Sequence, residues 1–561
     1  MTKPRSYAAH ITQNATQVSK RPSKTIRGYS TTNQVLPIAF YFLLFTFLSS
    51  CLAPTPIEPV IPTFILITQD PNASPTPTPF QPSGSVNTPL ATFTQTSPET
   101  VISTLTQTPT QTASQTPPPP TPTTDSVSPT PPPPAERTAS RTNYILYSTL
   151  DFNGRTITTD QTIRYTNNTG TLLSEIVFSV QPNRYANTFA LNSIAQDGAS
   201  ITSYTLNGQR LSVSLPQPLQ AGSAATLTIN FKLNIPAKQA DGVFGYDYNQ
   251  INLVDWYPFI VPYQNGWILH DPMPWGEHLV YDSSDIELNI KKDSNVVIAA
   301  GASAEQNGEW TRYRMYGART FAFSASDEFL VSESTVGNVA VRSYYFSGYK
   351  SGGDGILQLA AQAIETFSAQ FAPYPHQSLA IVQSDMNDGM EYDGVVFLAT
   401  DFYSQYTGGA RNNLATIGVH EIAHQWWFSL VGNDHALEPW LDEGLSTYSE
   451  RIFYENNYPA NISWWWQFRV DFFKPTGYVD TTIYNGGSFR TYTNAVYFQG
   501  ARFLDELRTR MGHGNFSKFL KEYARRYSYG HATSTDFFAL MRETVNVDIS
   551  DLLGKYFSGS Y

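Results

Sequence analysis

The sequence predicts a multidomain protein in which an all-β domain is followed by a domain that begins as α/β and becomes helical. Three observations carry this prediction. From about Thr142 to Asn338, apolar and polar residues alternate in short runs broken by turn signals, the period-2 pattern of half-buried strands. After Ser351 the apolar residues take up the spacing of amphipathic helices. Before both, residues 52–136 hold 22 of the 38 prolines and no Lys or Arg, a composition that cannot bury enough apolar surface to fold. At 561 residues the chain has room for two or three domains.

Residues 1–50 read as a secretory signal. Lys3, Arg5, Lys20, Arg21, Lys24 and Arg27 stand there with no acid, and the apolar run LPIAFYFLLFTFLSSC comes next. That run is about 15 residues, short of the roughly 20 that span a bilayer. Its end, Leu48-Ser49-Ser50-Cys51, resembles the bacterial lipobox, in which the cysteine is lipidated and becomes the mature N-terminus. Cys51 is the one cysteine of the chain, so no intrachain disulfide exists. The alternative is an uncleaved signal anchor. Both readings place the rest outside the cytoplasm, tethered to a membrane. Residues 51–141 form a Pro/Thr/Ser-rich stalk, TPPPPTPTT being typical, extended and partly polyproline II.

Residues 142–338 read as an all-β sandwich or saddle-like domain. TITTDQTIRYTNN, LLSEIVFSV, ATLTINFKLNI and SDIELNIKK alternate, with NNTG and LNGQ as turn signals. Residues 339–561 start with the helical pattern DGILQLAAQAIETFSAQF, stopped by APYP, then the strand SLAIVQS and the turn-strand NDGMEYDGVVFLAT. A helix around HEIAHQWWFSLVGN comes after them, with Asn412 or Asn413 as N-cap and Gly432 just past its end. Further helical patterns run to the C-terminus.

Net charge is −11, and no basic stripe is present, which argues against a nucleic-acid partner. Hydrophobic residues make up 41% of the chain, enough for a sizeable core.

The chemistry concentrates at His420. Residues four apart share a helix face, so His420 and His424 can offer two imidazoles to one metal ion, with Glu421 placed to take a proton from a metal-activated water. A catalytic zinc needs a third protein ligand and one open position. The HExxH pattern alone arises by chance in roughly one chain in a hundred of this size, so the residues downstream of it are decisive. Glu443 stands nineteen positions beyond His424, with eighteen residues between them, in EPWLDEGLSTYSER.

In these residues the sequence resembles the gluzincin zinc aminopeptidases of the alanyl aminopeptidase and leukotriene hydrolase type. The resemblance implies one zinc ion held by His420, His424 and Glu443, with Glu421 as general base. It implies a β sandwich or saddle domain followed by a thermolysin-like α/β to α-helical zinc peptidase domain. NDGMEYDG matches the family's G-x-M-E-N loop through Gly389, Met390 and Glu391, and assigns Glu391 to the substrate's free α-amine; Tyr392 replaces the usual asparagine. NAVYFQG matches the Y-x-K-G word and assigns Tyr497 to the oxyanion of the tetrahedral intermediate, with Gln499 in place of lysine. Glu450, on the same helical face as Glu443, reads either as an acceptor that orients a ligand histidine or as a solvated glutamate beside Arg451. His435 reads as a loop histidine. The WWWQ stretch at Trp464 reads as core or cleft wall. The large helical C-terminal domain of longer relatives has no counterpart after the catalytic helices.

The expectation is therefore a zinc-dependent aminopeptidase that removes N-terminal residues from peptides. The alternatives are an endopeptidase with the same zinc core, or a tethered binding protein with a relic zinc site.

Overall fold

The structure is a computed structural model that describes residues 141–561 apart from Asp241. The expected signal sequence, Cys51 and the stalk up to residue 140 lie outside the described residues.

The first part is built of three sheets. An 8-stranded sheet has Thr142–Asp151 at its centre, antiparallel to Thr156–Thr166 and parallel to Ser284–Lys291. Thr156–Thr166 and Ala224–Asn234 show why this chain makes strands. Their residues alternate buried and exposed along the whole length, so Ile157, Ile163, Leu227, Ile229, Phe231 and Leu233 all face inward. A 4-stranded sheet runs in the order Phe259–Ile260, Leu173–Ser179, Arg210–Leu219, Tyr204–Asn207. A second one runs Val297–Ala300, Phe323–Ser326, Gln250–Leu253, Gly245–Asp247. Trp256 ties the large sheet to this second one: its ring lies 6.4 Å from Phe231 and 5.6 Å from Phe323, and its indole N–H donates to the Phe321 carbonyl at 3.0 Å.

The second part opens on a 5-stranded mixed sheet, ordered Leu330–Val336, Val339–Tyr345, Ser378–Ser384, Val395–Ala399, Gly389–Tyr392. The two parallel strands Ser378–Ser384 and Val395–Ala399 are buried throughout, as strands covered on both faces are. Here the expected boundary at Asn338 needs correction. It falls in the hairpin turn between Leu330–Val336 and Val339–Tyr345, and the two strands pair along their full length. The second part thus starts near Leu330, because a strand's hydrogen bonds, and not a change of composition, decide which sheet it joins.

Ten helices complete the described part: α1 (Lys350–Gln370), α2 (Thr400–Ser404), α3 (Asn413–His424), α4 (Glu443–Asn457), α5 (Ile462–Trp465), α6 (Phe489–Thr493), α7 (Gly500–Met511), α8 (His513–Arg526), α9 (Ser534–Thr544) and α10 (Ser550–Tyr556). The central helix α3 packs between α1 and α4. Its N-cap is Asn412, whose side-chain oxygen accepts from the Ala415 N–H at 3.0 Å. It is almost wholly buried, from Leu414 to His424. Its end differs from expectation. At His424 the backbone widens into a π-helical turn, Gln425–Leu430, and Gly432 is not a left-handed cap. A Cβ at Gly432 would stand 2.4 Å from the Arg319 guanidinium carbon, so glycine is required by close approach and not by φ. Two more π-helical turns, Trp466–Val470 and Asn494–Gln499, precede further helical structure in the sequence.

Candidate active site

The two histidines of α3 sit with ring centroids 4.7 Å apart. Each is oriented from behind by a carboxylate. His420 Nδ1 lies 2.9 Å from Glu450 Oε1, and His424 Nδ1 lies 2.5 Å from Asp442 Oδ1. With both Nδ1 positions engaged, the Nε2 atoms converge on one carboxylate oxygen, Glu443 Oε2, at 3.1 Å from His420 and 3.5 Å from His424. Glu443 opens α4, and its own first turn fixes it: Thr447 Oγ1 donates to the Glu443 carbonyl at 2.7 Å.

The donor set fits zinc. Ligand atoms about 2.0–2.1 Å from a tetrahedral zinc stand about 3.4 Å from one another; the two imidazole-to-carboxylate separations, 3.1 and 3.5 Å, match that spacing, and all three groups offer atoms within 4.8 Å of one another. Carboxylates behind both imidazoles fix the Nε2-basic tautomer that a metal requires. The charge also fits. Burial raises the carboxyl pKa of Glu421 and of Glu391 well above the ordinary range, and Glu421 Oε2 and Glu391 Oε1 are buried without a hydrogen-bond partner. Burial opposes charge on the His420 ring, yet Glu443 and Glu450 outweigh it and lift its pKa to about 9. The pocket is short of positive charge, the condition a dication relieves.

Glu421 lies one residue along α3 and lines the same cavity of about 450 Å³. Its carboxylate rests against Gly389; a Cβ there would fall 2.2 Å from Glu421 Oε1. Gly389, Met390 and Glu391 belong to the edge strand Gly389–Tyr392, and all three line the cavity. Tyr392 is buried, packs edge-on against Phe397 and does not line it. Tyr497 stands in the π-helical turn Asn494–Gln499. Its ring stacks on His420 at 5.8 Å, and its hydroxyl donates to Glu443 Oε1 at 2.5 Å.

One site residue had no usable sequence signal, and of the two readings of Glu450 the structure supports the acceptor behind a ligand histidine. Glu277, from a loop of the β-rich part, brings a carboxylate oxygen within 4.8 Å of those of Glu391 and Glu443, and burial raises its pKa to about 7. No spacing rule reaches it. Glu450 is fully buried, not a solvated partner of Arg451: Trp465 Nε1 donates to Oε2 at 2.9 Å, and Arg469 Nε donates to both oxygens at 3.1 Å. Arg451 pairs with Glu455 instead. Asp442, inside the WLDEG word, joins two histidines, with His435 Nδ1 2.7 Å from its Oδ2. His435 is thus a buried loop histidine reaching the metal-side network, 2% exposed.

The peptidase family M1 domain model matches residues 356–556. Aminopeptidase M1-B of Oryza sativa subsp. japonica is 27% identical over 239 residues, which cover 40% of this chain and 27% of that protein. Aminopeptidase M1 of Arabidopsis thaliana is 24% identical over 244 residues, covering 40% and 27%. The chain thus spans about a quarter of the length of these curated relatives. A solved M1 zinc metallopeptidase from Deinococcus radiodurans superposes with a TM-score of 0.56 at 16% identity, covering 76% of this chain and 96% of that one. The same enzyme, bound to a Tyr-ser-ala substrate, matches equally. At that identity the likeness establishes the fold: a β-rich part followed by a helical one. Taken with the ligand geometry, the match over residues 356–556 identifies this stretch as a peptidase family M1 domain, a zinc metallopeptidase domain.

Proposed function

We propose that this chain is a zinc-dependent aminopeptidase acting outside the cytoplasm. The observation that carries the reading is the pair of carboxylates beside the metal triad, Glu391 buried and Glu277 half-buried. Glu277 and Glu391 lie in the cavity with Glu443, and Glu391 Oε1 accepts no hydrogen bond, its near neighbour being His424 Nδ1 at 3.6 Å. Two acids next to a metal-ligand set suit an ammonium group, which supplies the missing positive charge and donates to both. A substrate whose α-amine is held there places its first peptide carbonyl over the triad. This supports removal of single N-terminal residues. Tyr392, which stands where asparagine is usual, is buried against Phe397 and does not line the cavity.

Zinc, when bound by His420, His424 and Glu443, supplies Lewis acidity, lowering the pKa of a water and polarising a carbonyl. The remaining roles belong to the chain. Glu421, raised in pKa by burial, accepts the proton of the attacking water and returns it to the departing amide nitrogen. Tyr497, its hydroxyl already at the ligand carboxylate, turns that O–H to the developing oxyanion, a donor worth about 3 kcal/mol of barrier. Glu450 and Asp442 hold the imidazoles in place.

The test is one peptide with a free or an acetylated N-terminus, followed by mass spectrometry. Stepwise N-terminal loss from the free form alone is expected, and Glu421→Gln should lower kcat about 10²–10⁴-fold. Internal cuts in both forms would point to an endopeptidase, and no cleavage of either to a binding protein.

We also propose tethering through Cys51, supported by the basic segment, the apolar run and Leu48-Ser49-Ser50-Cys51. In a bacterial host the chain should fractionate with membranes, and Cys51→Ser should release it; a soluble parent chain would refute the anchor.

A further inference from the structure

A buried carboxylate stands two residues beyond Glu391. Asp393 lies in the turn between Gly389–Tyr392 and Val395–Ala399 and is 0% exposed. Its two oxygens face two different parts of the molecule. Oδ2 accepts from the N–H and the hydroxyl of Thr320, in the β-rich part, at 2.7 and 2.8 Å. Oδ1 accepts from the Ser429 hydroxyl at 2.6 Å, in the π-helical turn that continues α3 beyond His424. His376 Nε2 stands 2.7 Å from that same hydroxyl and 3.4 Å from Oδ1. The Asp393 N–H donates in return to Thr320 Oγ1 at 3.1 Å. Burial opposes charge on Asp393, yet His376, Ser429 and Thr320 outweigh it and hold the carboxyl ionised, below the ordinary range.

Three segments of the site meet at that one carboxylate. Glu391 rides on the strand before it, Glu277 on the β-rich part to which Thr320 belongs, and the two histidines on the helix that runs on to Ser429. Glu391 Oε1 accepts no hydrogen bond, so the placement of its strand, and not a donor, sets where that oxygen stands. Asp393, Thr320 and Ser429 themselves do not line the cavity. A fully satisfied ion that lies off the cavity, yet joins three segments bearing cavity groups, holds their spacing. We infer that Asp393 is a positioning residue for the substrate amine: through Thr320 and Ser429 it sets Glu391 against Glu277 and the metal ligands. The inference deepens the aminopeptidase reading and rests on it. An asparagine cannot keep every bond of Asp393. Its nitrogen end cannot accept, so either the two Thr320 donors or the Ser429 hydroxyl loses its acceptor.

The test is calorimetric binding to the full zinc-loaded chain carrying Glu421→Gln, which separates binding from turnover. The ligands are Ala-Ala-Ala and propionyl-Ala-Ala, the same molecule without its amine, so the ratio of the two affinities reads the amine site alone. In the parent Glu421→Gln chain Ala-Ala-Ala is expected to bind the more tightly. Adding Asp393→Asn should weaken Ala-Ala-Ala about tenfold and leave propionyl-Ala-Ala within about twofold. Thr320→Val, which removes the hydroxyl link and keeps the carboxylate, should lower the ratio by less, and Thr320→Ser should keep the parent value. That pair decides the matter if Asp393→Asn does not fold. A residue that only supports the fold would lower the thermal midpoint and leave the ratio where it was. An unchanged ratio in Asp393→Asn, or in Thr320→Val where Asp393→Asn does not fold, overturns the inference; so does equal weakening of both ligands. Equal binding of the two ligands by the parent chain is a separate failure, that of the aminopeptidase reading, and takes the inference with it.

Discussion

Glu450 illustrates how a residue that does not face the cavity governs the chemistry. It is fully buried yet ionised, because Arg469, His420 and Trp465 together satisfy both of its oxygens and hold its pKa below the ordinary range despite burial. Removing its charge frees the His420 ring to rotate and to choose its tautomer. Glu450→Gln should weaken zinc binding about 10–100-fold, read by competition with a chromogenic chelator; unchanged affinity would mean that α3 alone fixes the ring. A second residue links structure to pH. Asp255 is half-buried with its backbone in the left-handed region at φ 47°, and it accepts from the Tyr281 hydroxyl at 2.8 Å. Burial raises its pKa from 3.8 to about 6, while Tyr281 and Arg184 pull the other way. A carboxyl whose folded pKa exceeds its unfolded one favours the fold fully below pH 3.8, and loses that contribution as pH rises through 6. The ionised form then costs at most roughly 3 kcal/mol. Asp255→Asn, which keeps the φ and the acceptor, should raise the thermal midpoint at about pH 8 and leave it unchanged at about pH 4. A gain of equal size at both values would assign the effect to something other than ionisation.

At the scale of elements, each local pattern was legible where its period was long and its caps were strong. The strands from Thr142 onward alternate buried and exposed, α3 starts on its asparagine, and Glu443 opens α4 because the WLDEG word ends one 3-10 turn and starts the next helix. The π-helical turns were not legible. A π turn keeps the composition of the helix around it and differs only in hydrogen bonds one residue longer. Yet these turns carry Arg469 and Tyr497, and the third carries Gln425, whose side chain bridges the Gly394 N–H at 2.8 Å and the Tyr392 carbonyl at 3.0 Å. The edge strand and α3 meet at Gly389. Gly389→Ala should push the flexible Glu421 carboxylate aside and lower kcat by at least about tenfold, with stability changed by less than about 1 kcal/mol. Retained kcat would show that Glu421 tolerates displacement.

At the scale of the molecule, the β-rich part is more than a neighbour of the peptidase domain. It lines the cavity through Met273, Pro274, Trp275, Gly276 and Glu277. It is held in place by Arg319, which is buried and donates to the carbonyls of Ser429, Tyr281 and Gly530 at 3.0, 2.8 and 2.6 Å. Beside it Thr320 donates through both its N–H and its hydroxyl to Asp393 Oδ2, at 2.7 and 2.8 Å. Backbone meets backbone at Gly301 and Gly394, where an added Cβ would fall 2.6 Å from the opposite chain. Arg319→Ala would orphan buried carbonyls on both sides and should destabilise by roughly 3 kcal/mol or more. It should also raise KM, since Glu277 rides on the part that loosens. Chemical denaturation and steady-state kinetics on the same variant would separate the two, and a stability loss with KM unchanged would place Glu277 outside substrate binding.

What the sequence by itself determined is what short range can encode. Period gave the order of β and helical parts, and one helix face carried His420, Glu421 and His424. A fixed interval to a second helix added Glu443. These relations survive without a three-dimensional arrangement because i, i+4 geometry and local words set them. Only the tertiary structure decided which sheet takes Leu330–Val336, that Glu450 and Asp442 stand behind the imidazoles, and that Glu277 joins Glu391 from a distant loop. Those contacts join residues far apart along the chain, and their energies come from burial and charge in a shared low-dielectric interior. No spacing along the chain records which distant groups will share it.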